Sequence, residues 1–223
     1  FAKLSRVESS NDVRDMKATT TSIGPATNGE LIIQQDKSLG KGGFCWDAAF
    51  VLGEHVLLHH ADWMGRGSRC TRVLELGAGT GLCGLMIAQA TDAHVTITDL
   101  PELLPLMEGN LRRNFCEGEK ERVQARSLRW GFQEDYSDAP YDVILGADIV
   151  ASLYDPVALA ATLYALSGPD TKIYISSKSR LDKPHEEFDI EMKRLFGKVE
   201  RVEAESRLKN PDVFVMVFEG KRE

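Results

Sequence analysis

The run Val73-Leu74-Glu75-Leu76-Gly77-Ala78-Gly79-Thr80-Gly81-Leu82 constrains this chain more than any other stretch. It reads as a short apolar strand carrying one acidic residue, then a glycine-rich turn, then the start of a helix. Glycines in such a turn let the backbone approach a bound cofactor, because no Cβ stands in the way. Units of this kind build open α/β sheets, whose ligands bind beyond the carboxyl ends of the strands where strand order reverses. More than one cofactor uses such a turn, so the neighbouring residues must decide between them.

The rest of the chain supplies the sheet. Downstream of the first strand (72–76) and helix (81–90), periodicity predicts a strand over 94–98, a helix over 103–115 and strands over 123–128 and 141–145. A helix over 156–166, a strand over 172–176 and a helix over 186–196 follow, then strands over 199–204 and 213–218. Alternation of strand and helix means parallel pairing through right-handed crossovers. The last two strands have only the turn Lys209-Asn210-Pro211-Asp212 between them, which marks an antiparallel hairpin. The expectation is an α/β, Rossmann-like, mostly parallel seven-stranded sheet with a C-terminal antiparallel hairpin and helices on both faces.

Upstream, residues 1–30 are polar and read as a mobile N-terminal arm leading into a hairpin strand over 31–35. Gly40-Lys41-Gly42-Gly43 breaks the chain, and apolar residues from Phe44 to Trp63 recur at helical spacing. Residues 31–223 are expected to form one domain. The chain opens on Phe1 rather than Met, which leaves room for a preceding segment and a targeting signal on it.

Composition narrows the function classes. With 43% hydrophobic and 27% charged residues, a soluble globular protein is expected, cytoplasmic and possible in the nucleus, and a monomer by default. No apolar run is long enough to span a bilayer, so no membrane partner is expected. A net charge of −7 argues against a nucleic-acid partner. Cys45, Cys70, Cys83 and Cys116 form no CxxC pair and no zinc spacing, so no metal is expected; they read as reduced thiols, buried or partly buried. Trp63 reads as core.

Asp99 closes the second core strand about 20 residues beyond the glycine turn, where a carboxylate accepts from both hydroxyls of a ribose. That geometry suits the adenosine of either NAD or S-adenosylmethionine. Gly79-x-Gly81-x-x-Gly84 matches the dinucleotide pattern formally, but late, with its last glycine inside the helix. Glu75 weighs further against NAD, since an anion there repels a pyrophosphate and attracts the sulfonium and ammonium of S-adenosylmethionine. Gly77, Ala78, Gly79, Asp99 and Leu100 are the expected cofactor contacts, with Glu75 beside them. As bland alternatives, the glycines serve only the turn, Glu75 only supports the loop and Asp99 only caps the next helix.

Four further segments make the chain recognisable. ELGAGTG followed by ITDLP resembles the first two motifs of seven-strand, class I methyltransferases. Gly43-Phe44-Cys45-Trp46-Asp47-Ala48-Ala49 resembles the VWDAA helix of the family 16 protein methyltransferases (methyltransferase-like 21 group). Leu128-Arg129-Trp130-Gly131 resembles their L-x-W-G segment, and Tyr141 to Asp148 their D-x-I-L-G-A-D strand. The resemblance runs from about Leu31 to the C-terminus. It implies S-adenosylmethionine as methyl donor, S-adenosylhomocysteine as product and a protein side chain, lysine first, as acceptor. Known members act on heat-shock chaperones, valosin-containing protein and elongation factors, so a chaperone, an ATPase or a translation factor is the expected class of partner.

The resemblance also implies site residues. Trp46 and Trp130 line the cofactor pocket, Trp130 beside the adenine, and Ala147 is small where the cofactor passes. Asp148 stands beside the methyl group and orients the acceptor amine. The family reads Asp-x-x-Tyr here, but the tyrosine position holds Ala151, and Tyr154 comes one helical turn later to replace the ring. Asp148 and Tyr154 are thus the catalytic pair. Lys178 and Arg180 either border the entrance or form an ordinary solvated pair. The rival readings are a small-molecule N-methyltransferase, a cofactor-binding module without turnover and, most distant, an NAD-dependent oxidoreductase.

Overall fold

The computed structural model describes residues 5–7, 15–20, 29–64, 70–119, 121–178, 183–208 and 210–222, with side chains from Leu31 onward. Seven strands form the central sheet: β4 (Arg72–Leu76), β5 (His94–Asp99), β6 (Val123–Ser127), β7 (Tyr141–Ala147), β8 (Ser167–Lys178), β9 (Phe196–Glu203) and β10 (Val213–Lys221). Their order is β6-β5-β4-β7-β8-β10-β9. β10 is antiparallel to both neighbours, β8 and β9, while the pairs from β6 to β8 are parallel. Strand order reverses beside β4, so the crevice between the ends of β4 and β7 is where a ligand belongs.

Period-two alternation sorts the core onto two faces. Val73, Val143, Leu145, Tyr174, Val215 and Val217 face one apolar cluster, which α1 (Asp47–Leu58) and α2 (Leu82–Ala90) cover. Leu74, Leu76, Ile144, Ile173, Ile175, Met216 and Phe218 face the other, covered by α4 (Pro156–Leu166) and α5 (Lys183–Leu195). Asp155 starts α4 as an N-cap, accepting from the N–H groups of Val157 and Ala158, with Pro156 in the first turn.

The chain departs from expectation at several points. Residues 5–7 and 15–20 are strands β1 and β2, which join β3 (Gly29–Ile33) in a separate three-stranded antiparallel sheet. Polar composition concealed them, because backbone pairing in an antiparallel sheet needs no apolar run. The helix expected over 44–63 is α1 only to Leu58; a 3₁₀ turn His60–Asp62 follows. Trp63 is buried as expected, and its indole N–H donates to the Val56 carbonyl at 2.8 Å. Cys70 and Cys116 are exposed, which corrects the expectation of burial; each lies in a connection just outside a strand or helix. Cys45 is half-buried and Cys83 buried. Arg180 and Lys209 lie outside the described residues, and no described helix is long and apolar enough to cross a membrane.

Candidate functional site

A cavity of about 850 Å³ opens at the carboxyl ends of β4, β5 and β7. Its lining includes all the expected cofactor and catalytic residues, Trp46, Glu75, Gly77, Ala78, Gly79, Asp99, Leu100, Trp130, Ala147, Asp148 and Tyr154. The reasons lie in local backbone structure.

The glycine turn bridges two strands. Ala78 N–H donates to the Thr98 carbonyl at 2.9 Å and Gly79 N–H to Asp99 Oδ2 at 2.7 Å. Gly77, Gly79 and Gly81 all have positive φ, at 61°, 55° and 82°. Space demands glycine as well. A Cβ on Gly77 would lie 2.7 Å from Ile149 Cγ2, and one on Gly79 would lie 2.7 Å from the Gly42 carbonyl oxygen. Gly84, already inside α2, is a packing residue: its Cβ would meet Ile97 Cγ2 at 2.4 Å.

The two carboxylates of the cradle differ. Asp99 Oδ1 accepts from Leu100 N–H at 2.7 Å while Oδ2 holds Gly79, and the 3₁₀ turn that follows has no side-chain cap, so Asp99 serves the loop and not that turn. Burial raises the Asp99 pKa, and these two backbone bonds oppose the rise. Glu75 is fully buried and accepts from Gly84 N–H at 2.7 Å. Burial pushes its pKa up to about 8, with the Gly84 bond opposing and the Asp99 charge adding. Glu75 was expected as an anion aimed at the ligand. In the free protein it is a buried carboxyl that holds a proton near neutral pH, because desolvation outweighs the Gly84 hydrogen bond.

The opposite wall comes from β7 and the turn after it. Asp148 adopts φ 53° and donates its N–H to the Ser176 carbonyl at 2.8 Å, which aims the residue out of the sheet. Aspartate tolerates this left-handed conformation better than most residues. Tyr154 N–H closes a turn onto the Ala151 carbonyl at 3.0 Å, so Ala151 and Tyr154 both reach the cavity. The Tyr154 ring stands edge-on to Trp130, with centroids 5.3 Å apart. Burial raises the tyrosine pKa, and the nearby charges of Asp99 and Asp148 add to it.

Trp46 precedes α1 and fixes its indole by donating Nε1–H to the Lys41 carbonyl at 2.9 Å. Lys178 Nζ lies 5.8 Å from the centre of that ring, and Lys178 itself is not among the residues that line the cavity.

Sequence reasoning missed the segment 37–44, in which Leu39, Lys41, Gly42 and Phe44 line the cavity. The glycines at 40–43 read only as a break, although they adjoin the Trp46 motif. It also missed Asn110, fully buried on α3 (Leu104–Asn114). Asn110 Oδ1 accepts from Gln34 N–H at 2.8 Å, and its Nδ2 donates to the carbonyls of Gln34 and Thr80 at 3.0 and 2.9 Å. It thus ties the segment after β3 to the glycine turn. The available signal was an asparagine beside Leu106, Met107 and Leu111, on the buried side of the helix.

The residues present fit a nucleoside joined to a cationic chain. A flat indole, a carboxylate at a strand end, a glycine cradle with no room for Cβ and a second carboxyl beneath it supply the surfaces such a molecule needs. Among the described residues no group of His, Cys, Asp and Glu is placed to hold a metal.

The comparisons agree in direction. A family model described as lysine methyltransferase matches residues 26–195. The protein N-lysine methyltransferase METTL21A of Danio rerio is 38% identical over 172 residues, covering 76% of each chain. The EEF1A lysine methyltransferase 3 of Mus musculus is 38% identical over 161 residues, covering 71% of this chain and 66% of that protein. Two solved structures share the fold. A TehB-like SAM-dependent methyltransferase of Corynebacterium glutamicum has TM-score 0.57 at 18% identity, covering 76% of this chain and 88% of that one. The glycopeptide N-methyltransferase MtfA has TM-score 0.59 at 13% identity, covering 79% and 96%.

Proposed function

The chain belongs to the lysine methyltransferase family, and from that membership we propose that it transfers the methyl group of S-adenosylmethionine to a lysine amine of a protein. The observation that carries this reading is the gathering of Trp46, Glu75, Gly77, Gly79, Asp99, Trp130 and Asp148 around one cavity at the reversal of strand order.

S-adenosylmethionine, when bound, supplies a methyl group already activated by a sulfonium. The protein has to hold the donor, bring in the amine and keep water out. Asp99 would hold the ribose while keeping Gly79, and Trp130 would offer its face to the adenine. Glu75 would answer the positive charge of the donor by giving up its proton. A lysine amine has an ordinary pKa of about 10.4, so deprotonation at pH 7 costs roughly 5 kcal/mol. Confinement beside a cation lowers that cost. Asp148 would orient the amine by accepting a hydrogen bond. A close, ionised carboxylate also favours the charged amine, so its part is orientation and not proton removal. Tyr154 supplies the ring that Ala151 cannot.

The acceptor class follows the relatives' names, and the EEF1A named for one of them is the first acceptor to try. The enzyme is proposed to act as a monomer. Incubation with methyl-labelled S-adenosylmethionine and a cell extract, followed by mass spectrometry, tests the reading. Label on a protein lysine is expected; label confined to small molecules would overturn it.

A further inference from the structure

Among the described residues nine large apolar side chains stand exposed, and five of them line the cavity: Trp46, Leu100, Phe132, Leu153 and Tyr154. A sixth, Val157, lies in the first turn of α4 between the lining residues Asp155 and Ala158. Exposed apolar side chains scattered singly are ordinary, whereas a set gathered around one opening marks an interaction surface.

These groups are held outward by polar scaffolding. Asp155 fixes the start of α4 through Val157 and Ala158 N–H, which presents Leu153 and Val157 at 61% and 51% exposure. Tyr154 is braced on Trp130. Arg129 is bound to Asp135 at 2.7 Å and lays its guanidinium 4.4 Å from the centre of the Phe132 ring. A surface already fixed in this way loses little conformational entropy of its own when a partner covers it. Apart from Glu75, which keeps its proton in the free protein, the lining carries Glu102, Asp99, Asp148 and Asp155 against Lys41 and Arg129, and the charge of Arg129 is already met by Asp135. The opening is therefore apolar at its rim and anionic within.

We propose that the rim formed by Leu153 and Val157 docks the acceptor protein through an aliphatic or aromatic side chain next to the lysine that enters the cavity. This inference rests on the protein-lysine reading above. It adds that acceptors are chosen by an apolar neighbour and not by charge alone.

The test uses the double variant Leu153→Ser/Val157→Ser, with Ile190→Ser as control, since Ile190 is exposed on α5 and lines no part of the cavity. Both are surface changes, which leave folding nearly untouched. Each protein is incubated with tritiated S-adenosylmethionine and extract proteins, and cofactor affinity is measured by calorimetry. The double variant should label protein at least tenfold more weakly, with cofactor affinity within twofold of the parent, and the control should match the parent. The parent's labelled lysine should have an apolar side chain within a few residues. Equal labelling by the double variant overturns the proposal, and so does a parallel loss of cofactor affinity. A dimer of the parent that the double variant loses would give the rim to a second copy of this chain and likewise overturn it. Absence of labelled protein with the parent would instead overturn the lysine reading itself.

Discussion

Glu75 Oε2 accepts the N–H of Gly84 at 2.7 Å, so a carboxyl on β4 is tied to the third residue of α2 inside the core. Burial moves that carboxyl from an ordinary 4.5 to about 8. The folded chain therefore binds this proton more tightly than the unfolded chain does. The contribution to stability is complete below about pH 4.5 and is lost as pH rises towards 8. A cation in the cavity favours the ionised form, so donor binding should expel the proton and strengthen as pH rises to about 8. Calorimetry at pH 7 in buffers of different ionisation enthalpy should register proton release, and Glu75→Gln should remove it. Proton uptake, or the same release from the variant, would sink this account.

Gly79→Ala should fail for two reasons that can be told apart. Its φ of 55° costs an alanine about 1–2 kcal/mol, and the new methyl would press on the Gly42 carbonyl at 2.7 Å. At roughly 2–4 °C per kcal/mol, strain alone predicts a melting temperature lower by about 2–8 °C. The clash displaces the segment 37–43, which forms a cavity wall, so donor affinity should fall by more than tenfold. A variant that melts lower but binds the donor normally would show that this contact does not shape the site.

Tyr154→Phe and Tyr154→Leu separate the ring from the hydroxyl. The edge-on pair with Trp130 is worth about 0.5–1.5 kcal/mol, so Tyr154→Leu should weaken donor binding roughly two- to tenfold. Tyr154→Phe keeps the pair and removes the hydroxyl that lies near Asp99 and Asp148, so donor affinity should hold while transfer slows. Equal effects of both variants on donor affinity would contradict this division.

How much of this was legible in the sequence depended on whether one residue type fixes one conformation. Strands β4, β7 and β8 announced themselves because both of their faces are covered, which demands near-continuous apolar runs, while β5 and β6 place apolar residues on one face only. Helix α4 was legible to the residue, from Pro156 to Leu166. Gly77, Gly79 and Asp99 could be assigned to one cavity because backbone approach and a strand-end carboxylate leave few alternatives. The charge state of Glu75 could not be read, since it depends on how completely Ile97, Cys83 and their neighbours exclude water. Strand β2 was hidden by its polar residues. Asn110 was hidden because its partners, Gln34 and Thr80, are distant in sequence and bind through their backbones.

Asn110 offers a test of that hidden contact. Asn110→Leu would leave Gln34 N–H and the carbonyls of Gln34 and Thr80 without their partner in a buried place. At about 1–3 kcal/mol for each unpaired group, partly relieved by relaxation, the loss should be about 3–5 kcal/mol. Thermal melting should fall by roughly 6–20 °C. Asn110→Asp keeps the acceptor for Gln34 N–H and loses the donors, so it should melt between the two. A loss below about 1 kcal/mol for Asn110→Leu would mean that the strand and the glycine turn are not joined through this side chain.

Asp148 decides whether the wall after β7 belongs to the acceptor or to the donor. Its φ of 53° makes alanine a poor substitute, because backbone strain of about 1–2 kcal/mol would blur the result. Asparagine tolerates the same conformation, keeps the N–H bond to the Ser176 carbonyl and removes only the charge. If the carboxylate orients the incoming amine, Asp148→Asn should lower kcat for protein methylation by about 100-fold, the order expected when a positioning contact is lost. Donor affinity, which on the proposed reading rests on Gly77, Gly79, Asp99 and Trp130 across the cavity, should stay within about threefold, since a lost positioning contact acts on the acceptor step. Stopped transfer with intact binding is therefore the expected pattern. Lost binding with unchanged kcat would move Asp148 from the acceptor side of the cavity to the donor side.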